Sequence, residues 1–151
     1  MRVERRFAFQ TGRMAEKKLA DLSDRMRKID IAMLSTHSKG GNIAGRPMSN
    51  NGEVEYDGTS YYFTYEAAHT VGEIEADPKV SLAFMGQGGF SVAVEGQARL
   101  SRDKAEMKEH WSPDLDKWFK DGIDTPDIVM IQVDATRVHY WDGEDEGEIK
   151  L

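Results

Sequence analysis

The segment Phe90 to Leu100 constrains the fold more than any other part of the chain, because apolar residues alternate along it with polar or small ones. A period of two residues places successive side chains on opposite faces of an extended strand. One face would carry Val92, Val94, Gly96 and Ala98, and the other Ser91, Ala93, Glu95 and Gln97. The segment therefore predicts a long strand with one face in a hydrophobic core.

Five shorter segments are also predicted as strands: Ile31 to Thr36, Ile43 to Asn50, Ser60 to Tyr65, Val80 to Met85 and Ile128 to Val133. Gly86 to Gly89 predicts a tight turn between two strands, and Asp57-Gly58 predicts a further hairpin. Pro47 has no backbone N–H, so its strand should lie at an edge, at a bulge or against a ligand. Strands this short and apolar need a closed barrel or covered edges.

Helices are predicted at Met14 to Ile29, Ala67 to Ala76, Lys104 to Trp111 and Pro113 to Gly122. The first has apolar residues at helical spacing, Asp77-Pro78 stops the second, and Ser101 is the expected N-cap of the third. Together the elements favour an α+β fold. It would be a barrel or a strongly curled sheet of mostly antiparallel strands, with the helices packed outside.

Length, charge and cysteine content exclude several classes of protein. The 151 residues suit a single domain, and the net charge of −7 argues against a general nucleic-acid binder. The absence of cysteine excludes thiolate catalysis and cysteine-ligated metals, and the histidines lack metal-ligand spacing, so no metal site is predicted. No apolar run is long enough for a bilayer span or a secretion signal. We therefore expect a cytoplasmic protein without a nucleic-acid or membrane partner.

Both ends of the chain are expected to lie outside the folded domain, which we place at residues 14–141. Residues 1–13 are basic and are predicted to be a disordered extension, derived from expression or from an upstream start codon. A short anion-binding arm is the alternative. Residues 142–151 form an acidic tail, in which Asp142 to Glu148 is expected to be frayed and solvated.

One arginine and one helix start suggest a site for an anion. Arg46 falls on the second predicted strand, and Ala68 to Ile74 opens a helix directly after the strand that contains Phe63 and Thr64. An arginine can give a phosphate two parallel charge-assisted hydrogen bonds, and a helix N-terminus offers unpaired N–H groups with a positive dipole. Together they predict a phosphate site, although neither half is specific alone.

The motifs around this site resemble, in order and spacing, those of the pyridoxamine 5′-phosphate oxidase-like split-barrel proteins, especially the general stress protein branch. The matching segments are Ile31 to Thr36, Gly45 to Met48, Asp57-Gly58, Tyr62 to Thr64, Val71 to Val80, Val92 to Ala98 and Val138 to Trp141. The resemblance implies a six-stranded, mostly antiparallel split β-barrel with flanking helices. It also implies a homodimer that holds FMN at the subunit interface.

The resemblance further implies roles for individual residues. Arg46 would reach the flavin phosphate, while its neighbours Pro47, Met48 and Ser49 would line the isoalloxazine ring. The remaining phosphate and ribityl contacts would come from Phe63, Thr64, His69 and Thr70. Trp111 or Trp118 would cap the flavin from the partner subunit. Replacing Arg46 with alanine is expected to lower FMN affinity by about tenfold or more while leaving the melting temperature almost unchanged.

Two departures from the family pattern keep functional alternatives open. Many relatives have a lysine at or beside His69-Thr70, so we expect weaker phosphate binding here, or use of protonated His69. The acidic C-terminal residues would repel a substrate phosphate, so oxidation of pyridoxamine 5′-phosphate is not expected.

The cofactor and the activity also stay open. FAD could replace FMN, and other split barrels hold a deazaflavin or haem. A bound flavin would supply the chemistry of a weak oxidoreductase, although no residue stands out as a catalytic acid or base. The chain could instead be a non-enzymatic stress or interaction module that uses the same dimer without a cofactor.

Overall fold

The computed structural model describes residues 17–151, which form one antiparallel sheet of seven strands. The strands are β1 (Ile31–His37), β2 (Ile43–Ser49), β3 (Thr59–Tyr65), β4 (Lys79–Met85), β5 (Phe90–Ser101), β6 (Ile128–Asp142) and β7 (Asp145–Lys150). Six of them follow the order β2-β1-β4-β5-β6-β3, and β7 pairs with the second half of β6.

The sheet curls so strongly that its two outer strands, β2 and β3, come into contact. No ladder joins these two strands in the described part of the chain, so a split lies between them. Pro47 lies on the edge strand β2, one of the positions that its missing N–H predicts. The predicted α+β split barrel is therefore confirmed, with one strand more than expected.

Three helices of the described chain pack against the sheet: α1 (Leu19–Met26), α2 (His69–Ala76) and α3 (Lys104–His110). The Asn50 side-chain amide donates to the carbonyl oxygens of Met26 and Ile29 at 2.9 and 2.7 Å, just where α1 ends. The predicted helix from Pro113 to Gly122 is instead a 3₁₀ turn, Pro113–Lys117, followed by a second 3₁₀ turn, Gly122–Asp124.

The main core fills the inside of the curled sheet. β5 shows the predicted alternation, with buried residues at every second position from Phe90 to Ala98. The other buried members of this core are Leu22, Met26, Ile29, Ala32, Leu34, Met48, Tyr56, Tyr62, Ile74, Val80, Leu82, Phe84, Ile131, Val133, Val138 and Tyr140. Burial of these side chains is the main force that holds the strands together.

A second, smaller apolar cluster lies on the opposite face of β3 and β6. Its buried members are Phe63, Met107, Leu115, Phe119, Ile128 and Met130. Phe63 and Tyr62 are neighbours on β3 but belong to different clusters, because successive residues of a strand point to opposite faces. The cluster attaches α3 and the turn after it to the outside of the barrel.

The ladder between β5 and β6 contains one irregular step, and β6 continues through it. At the step from Glu95 to Gly96 the pairing of β5 with β6 slips by one residue, which leaves Thr136 without an opposite residue. Position 96 must be glycine, because a Cβ there would collide with the carbonyl group of Asp134. The sequence suggested a final strand and a separate extension, Val138 to Trp141, but the irregular step joins them into one strand.

The N-cap of α3 is Asp103 rather than the expected Ser101. The Asp103 carboxylate accepts hydrogen bonds from the backbone N–H groups of Ala105 (2.9 Å) and Glu106 (3.5 Å). Ser101 is the last residue of β5, and its hydroxyl donates to the Glu106 carboxylate at 3.1 Å. Because β5 runs to residue 101, the cap position falls two residues later.

Two predictions about connections and ends were wrong. Asp57-Gly58 does not join a hairpin, because β2 pairs with β1 and β3 pairs with β6. The dipeptide makes a local turn, with Gly58 at a φ of 106°. The C-terminal residues are not frayed, because β7 pairs with β6 and the side chain of Glu146 is buried.

The predicted extension of residues 1–13 and the start of the first predicted helix lie outside the described residues. Between residues 17 and 151, no helix is long and apolar enough to cross a membrane. Arg46 and α2, the centre of the predicted site, lie within the described residues.

Candidate functional site

The guanidinium of Arg46 lies between β1 and α2. Arg46 is opposite Leu34 in the β1–β2 ladder, and its Nη1 donates to the Leu34 carbonyl oxygen at 3.3 Å. The same nitrogen donates to Thr36 Oγ1 at 2.8 Å, and Nη2 donates to Glu73 Oε1 at 2.9 Å. The arginine is thus held by a backbone carbonyl, a hydroxyl and a carboxylate.

Thr36, Arg46 and Glu73 form a closed set of hydrogen bonds, which we call the polar triad. The Thr36 hydroxyl donates to Glu73 Oε1 at 2.7 Å, so one carboxylate oxygen accepts from both other residues. The side chains of Arg46 and Glu73 are 21% and 18% exposed, and Thr36 is buried. A charge pair with this little solvent around it is screened much less than a surface pair.

The donors of the polar triad fit a phosphate, but a carboxylate already lies against them. An arginine side chain has five N–H donors, and three hydrogen bonds of Arg46 go to partners within residues 17–151. A phosphate could use the remaining donors, and it would then lie beside the negative charge of Glu73. Arg46 therefore lies beside α2 with its charge compensated from within the chain.

A cleft of about 980 Å³ opens beside the polar triad, between α2 and the short 3₁₀ turn Lys39–Gly41. Glu73 belongs both to the triad and to the wall of this cleft. The basic and imidazole groups on its wall are His37, Lys39 and His69. We call this space the α2 cleft.

Sequence reasoning missed Lys39. The prediction counted cations along the chain near His69, where the family has a lysine, and found none. The connection between β1 and β2 brings Lys39 to the same cleft as His69 from a distant part of the sequence. The only sequence signal was a lysine in a glycine-rich turn, which by itself indicates a solvated loop.

The start of α2 has the features of a weak anion site. Ala68 is the N-cap and has no side chain that could accept from the first N–H groups of the helix. His69 is exposed and lines the α2 cleft, whereas Thr70 is buried. Of the two α2 residues in the predicted site, His69 therefore faces the cleft and Thr70 packs into the protein.

Acidic residues of the α2 cleft are largely occupied by another arginine. Arg102 donates to both carboxylate oxygens of Glu66, at 2.6 and 2.7 Å, and approaches Glu75 at 3.5 Å. The hydrogen bonds from Arg102 hold the pKa of the Glu66 carboxyl below its usual value. These exposed pairs differ from the polar triad, in which the partners are mostly enclosed.

The other predicted site residues do not all come together in this chain. Met48 is buried in the main core, and Pro47, the next residue on β2, is exposed on the opposite face. Ser49 and Thr64 are half-buried at the ends of β2 and β3. Phe63 lies in the second apolar cluster, on the face of β3 that is turned away from the main core.

Trp111 lies with Phe63, away from α2. Their rings meet edge to face with centroids 4.8 Å apart, and the Trp111 indole N–H donates to Asp116 at 3.1 Å. Trp111 also lines a second cleft of about 460 Å³ near the start of β3, where Tyr61 and His110 stack at 3.5 Å. Trp111 therefore packs against the outer face of β3, whereas His69 lines the α2 cleft.

Burial raises the pKa of the Tyr61 hydroxyl in this second cleft, and the carboxylates of Asp57 and Asp134 add to the effect. Tyr61 therefore stays neutral at physiological pH. The alternative tryptophan, Trp118, is largely exposed.

One face of the sheet carries exposed apolar side chains. Ile31 and Met33 on β1, Ile43 on β2 and Met85 on β4 are all large and exposed, with Ile43 at 73% and Met85 at 70%. The ladder places Met33 opposite Pro47 on one side and Ala83 on the other, so small and apolar residues continue across three strands. We call Ile31, Met33, Ile43 and Met85 the apolar strip.

The fold is that of a split barrel, with a polar site at the end that α2 covers. A family model described as pyridoxamine 5′-phosphate oxidase like matches residues 17–151. The chain therefore belongs to the pyridoxamine 5′-phosphate oxidase-like family, as its sequence motifs indicated.

Several solved structures share the fold. A protein from Clostridium acetobutylicum related to general stress protein 26 is 19% identical, with a TM-score of 0.78 over 91% of this chain and 97% of that one. General stress protein 26 from Bacillus anthracis is 18% identical, with a TM-score of 0.69 over the whole of both chains. A haem-binding protein from Mycobacterium smegmatis is 16% identical, with a TM-score of 0.67 over 91% of this chain and 60% of that one.

At these sequence identities, the likeness shows that the proteins share a fold, and it does not show which ligand this chain binds. A comparison with curated proteins gives no match. Among the described residues, no group of histidine, aspartate and glutamate side chains is arranged to hold a metal ion.

Proposed function

We propose that this protein binds a flavin, with FMN as the first candidate and FAD as the second, at the α2 end of the barrel. The observation that carries the proposal is the position of Arg46, whose guanidinium faces α2 beside a cleft that also contains Lys39 and His69. An arginine, a lysine and an uncapped helix start together offer hydrogen-bond donors and positive charge to a phosphate monoester, beside the carboxylates of Glu66, Glu73, Glu75 and Asp77 that also line the cleft. Membership of the family supports this assignment.

Each part of the site would have a separate task. Arg46 and the first N–H groups of α2 would bind the phosphate, while Lys39 and protonated His69 would add charge at the rim of the α2 cleft. The flavin, once bound, would supply the redox chemistry, and the protein would orient it and limit access of water. We extend the proposal to a weak oxidoreductase activity, to which we assign no catalytic acid or base.

We further propose a homodimer formed through the apolar strip. Large exposed apolar side chains on one face of a sheet are a typical protein contact surface, and a second copy would cover them around a two-fold axis. The split between β2 and β3 would then face the partner. That arrangement would let Phe63 and Trp111, which lie apart from Arg46 in one protomer, reach a flavin bound mainly by the other.

The dimer is tested by replacing Met33 with glutamate. The charge would lie in the middle of the apolar strip, so the variant is expected to elute as a 17.1 kDa monomer while the wild type elutes at twice that mass. Val54→Glu is the matched control, because Val54 is also exposed but lies in the loop before β3. A wild type that is monomeric at low micromolar concentration would contradict the dimer.

Flavin binding is tested by titration of FMN fluorescence and by the absorption spectrum of freshly purified protein. We expect saturable quenching by the wild type and a dissociation constant raised by about tenfold or more in Arg46→Ala. Arg99→Ala is the control, because Arg99 also pairs with a glutamate but lies on β5. A colourless protein that leaves FMN fluorescence unchanged would refute the proposal.

Haem is a second candidate ligand. The structural likeness to a haem-binding protein is joined by one feature of this chain, since His37 and His69 both line the α2 cleft and are potential axial ligands. The absorption spectrum separates the candidates, because haem gives an intense Soret band that flavins lack.

A further inference from the structure

Glu73 accepts hydrogen bonds from the donors that a flavin phosphate would use. We infer that this carboxylate is a resident competitor for the phosphate, so that Glu73 sets how strongly the site distinguishes FMN from unphosphorylated riboflavin. The inference rests on the proposed flavin function and concerns the same site.

The contacts of Glu73 resemble those of an anionic ligand. One oxygen, Oε1, accepts from the Thr36 hydroxyl at 2.7 Å and from Arg46 Nη2 at 2.9 Å. Carboxylates and phosphates are recognised by the same arginine donors with similar geometry. A phosphate oxygen in this position would accept the same two hydrogen bonds.

The position of Glu73 on α2 makes the competition local. His69 and Glu73 are four residues apart, so they lie on the same side of the helix, and both line the α2 cleft. A phosphate placed between His69 and Arg46 would therefore lie close to the Glu73 carboxylate. Because the Glu73 side chain is only 18% exposed, the repulsion between them would be screened less than that between two surface charges.

The other carboxylates of the cleft are held away from Arg46. Glu66 and Glu75 interact with Arg102, and Asp77 accepts a hydrogen bond from the backbone N–H of Lys79 at 3.1 Å. Among the acidic residues that line the α2 cleft, Glu73 is the one with an ion pair to Arg46. The competition should therefore depend on this single side chain.

The consequence is a difference between two ligands that share a ring system. FMN has to displace the carboxylate or bind beside it, whereas riboflavin has no phosphate and meets neither cost. Glu73→Gln removes the charge but keeps a side-chain oxygen that can still accept from Thr36 and Arg46. The variant should therefore keep the fold and bind FMN more tightly, with little change for riboflavin.

The experiment measures dissociation constants of FMN and riboflavin for the wild type, Glu73→Gln and Glu75→Gln by fluorescence titration. Glu75→Gln is the matched control, because it removes the same charge from the same cleft at a residue held by Arg102. We expect the ratio of FMN affinity to riboflavin affinity to rise by about tenfold or more in Glu73→Gln and by less than about threefold in Glu75→Gln. A thermal melt verifies that each variant is folded.

Each outcome decides between the two proposals. An unchanged ratio in Glu73→Gln, with the wild type binding FMN, would overturn the competitor role and leave flavin binding intact. An equal rise in both variants would also overturn it, because the effect would then be one of overall charge. If neither flavin binds to any of the three proteins, the proposed function fails and the competitor role fails with it.

Discussion

Removal of Arg46 should destabilise the protein even without any ligand. The side chain compensates a carboxylate that is only 18% exposed, and alanine would leave Glu73 with the Thr36 hydroxyl as its remaining partner from the polar triad. This structure therefore changes the expectation from sequence that the melting temperature of Arg46→Ala would stay almost constant.

The size of the effect follows from the burial of the pair. Breaking a fully buried ion pair costs about 3–5 kcal/mol, and an exposed pair contributes about 0.2–1 kcal/mol. Because Glu73 and Arg46 are each about a fifth exposed, we expect a loss of about 1.5–2.5 kcal/mol in the free energy of unfolding. For a domain of this length, that loss corresponds to a melting temperature lower by roughly 4–8 °C.

Urea unfolding followed by tryptophan fluorescence measures this loss, provided that the slope of free energy against urea stays the same. Glu73→Gln in the Arg46→Ala background should recover part of it, giving a coupling energy of about 1–2 kcal/mol in the double-mutant cycle. Arg99→Ala breaks an exposed pair with Glu106 and should cost less than about 1 kcal/mol. A loss below about 0.5 kcal/mol for Arg46→Ala, with no coupling, would refute the reasoning.

Two further predictions test local features of the fold. Asp103→Ala should lower the free energy of unfolding by about 0.5–2 kcal/mol, because it removes the N-cap of α3; an effect on circular dichroism and urea stability no greater than that of a surface substitution would argue against the cap. The Glu66 carboxyl should titrate below its usual pKa because Arg102 stabilises the charged form, so the stability it contributes is present above the unfolded pKa and is lost as the pH falls through the folded pKa. Carboxyl NMR titration should show the pKa of Glu66 rising in Arg102→Ala, and an unchanged value would rule out the pairing in solution.

The barrel could be predicted because its strands carry local patterns. The alternation from Phe90 to Leu100 and the short apolar runs before and after it gave the strands, and α2 ended where Asp77-Pro78 placed its end. Pairing was harder, because the partner of a strand depends on distant residues. Asp57-Gly58 has the composition of a hairpin turn, yet β3 pairs with β6, about seventy residues further along the chain.

The acidic C-terminal strand was missed for a related reason. Asp145 to Lys150 has the charge of a solvated tail, and its strand conformation is imposed by the exposed edge of β6. The segment is ordered by pairing with β6 and by side-chain contacts across that pair, of Glu148 with Arg137 and of Glu146 with His139, which a hydrophobic pattern does not reveal. The acidic composition predicted a solvated tail, whereas the backbone of this segment forms a strand.

The residues of the candidate site remain a prediction, and their partners within the chain could not be read from the sequence. Arg46 lies close to α2, but no sequence pattern indicated that Glu73 would pair with it. That pair forms because the helix is packed across the ends of β1 and β2, so it depends on tertiary structure. The same packing brings Lys39 to the α2 cleft, which no count of cations along the chain could have found.

The irregular step at Thr136 divides β6 into two halves that pair with different strands. Along one edge β6 pairs with the whole of β5. Along the other edge it pairs with β3 before the step and with β7 after it. Without Thr136, Ala135 and Val138 would be two residues apart, as their partners Gly96 and Val94 are, so the ladder would become regular and Val138 and Tyr140 would still face inward. The same deletion elsewhere in β6 would reverse the faces of the residues that follow, so this strand should tolerate a change of one residue in length best at the step.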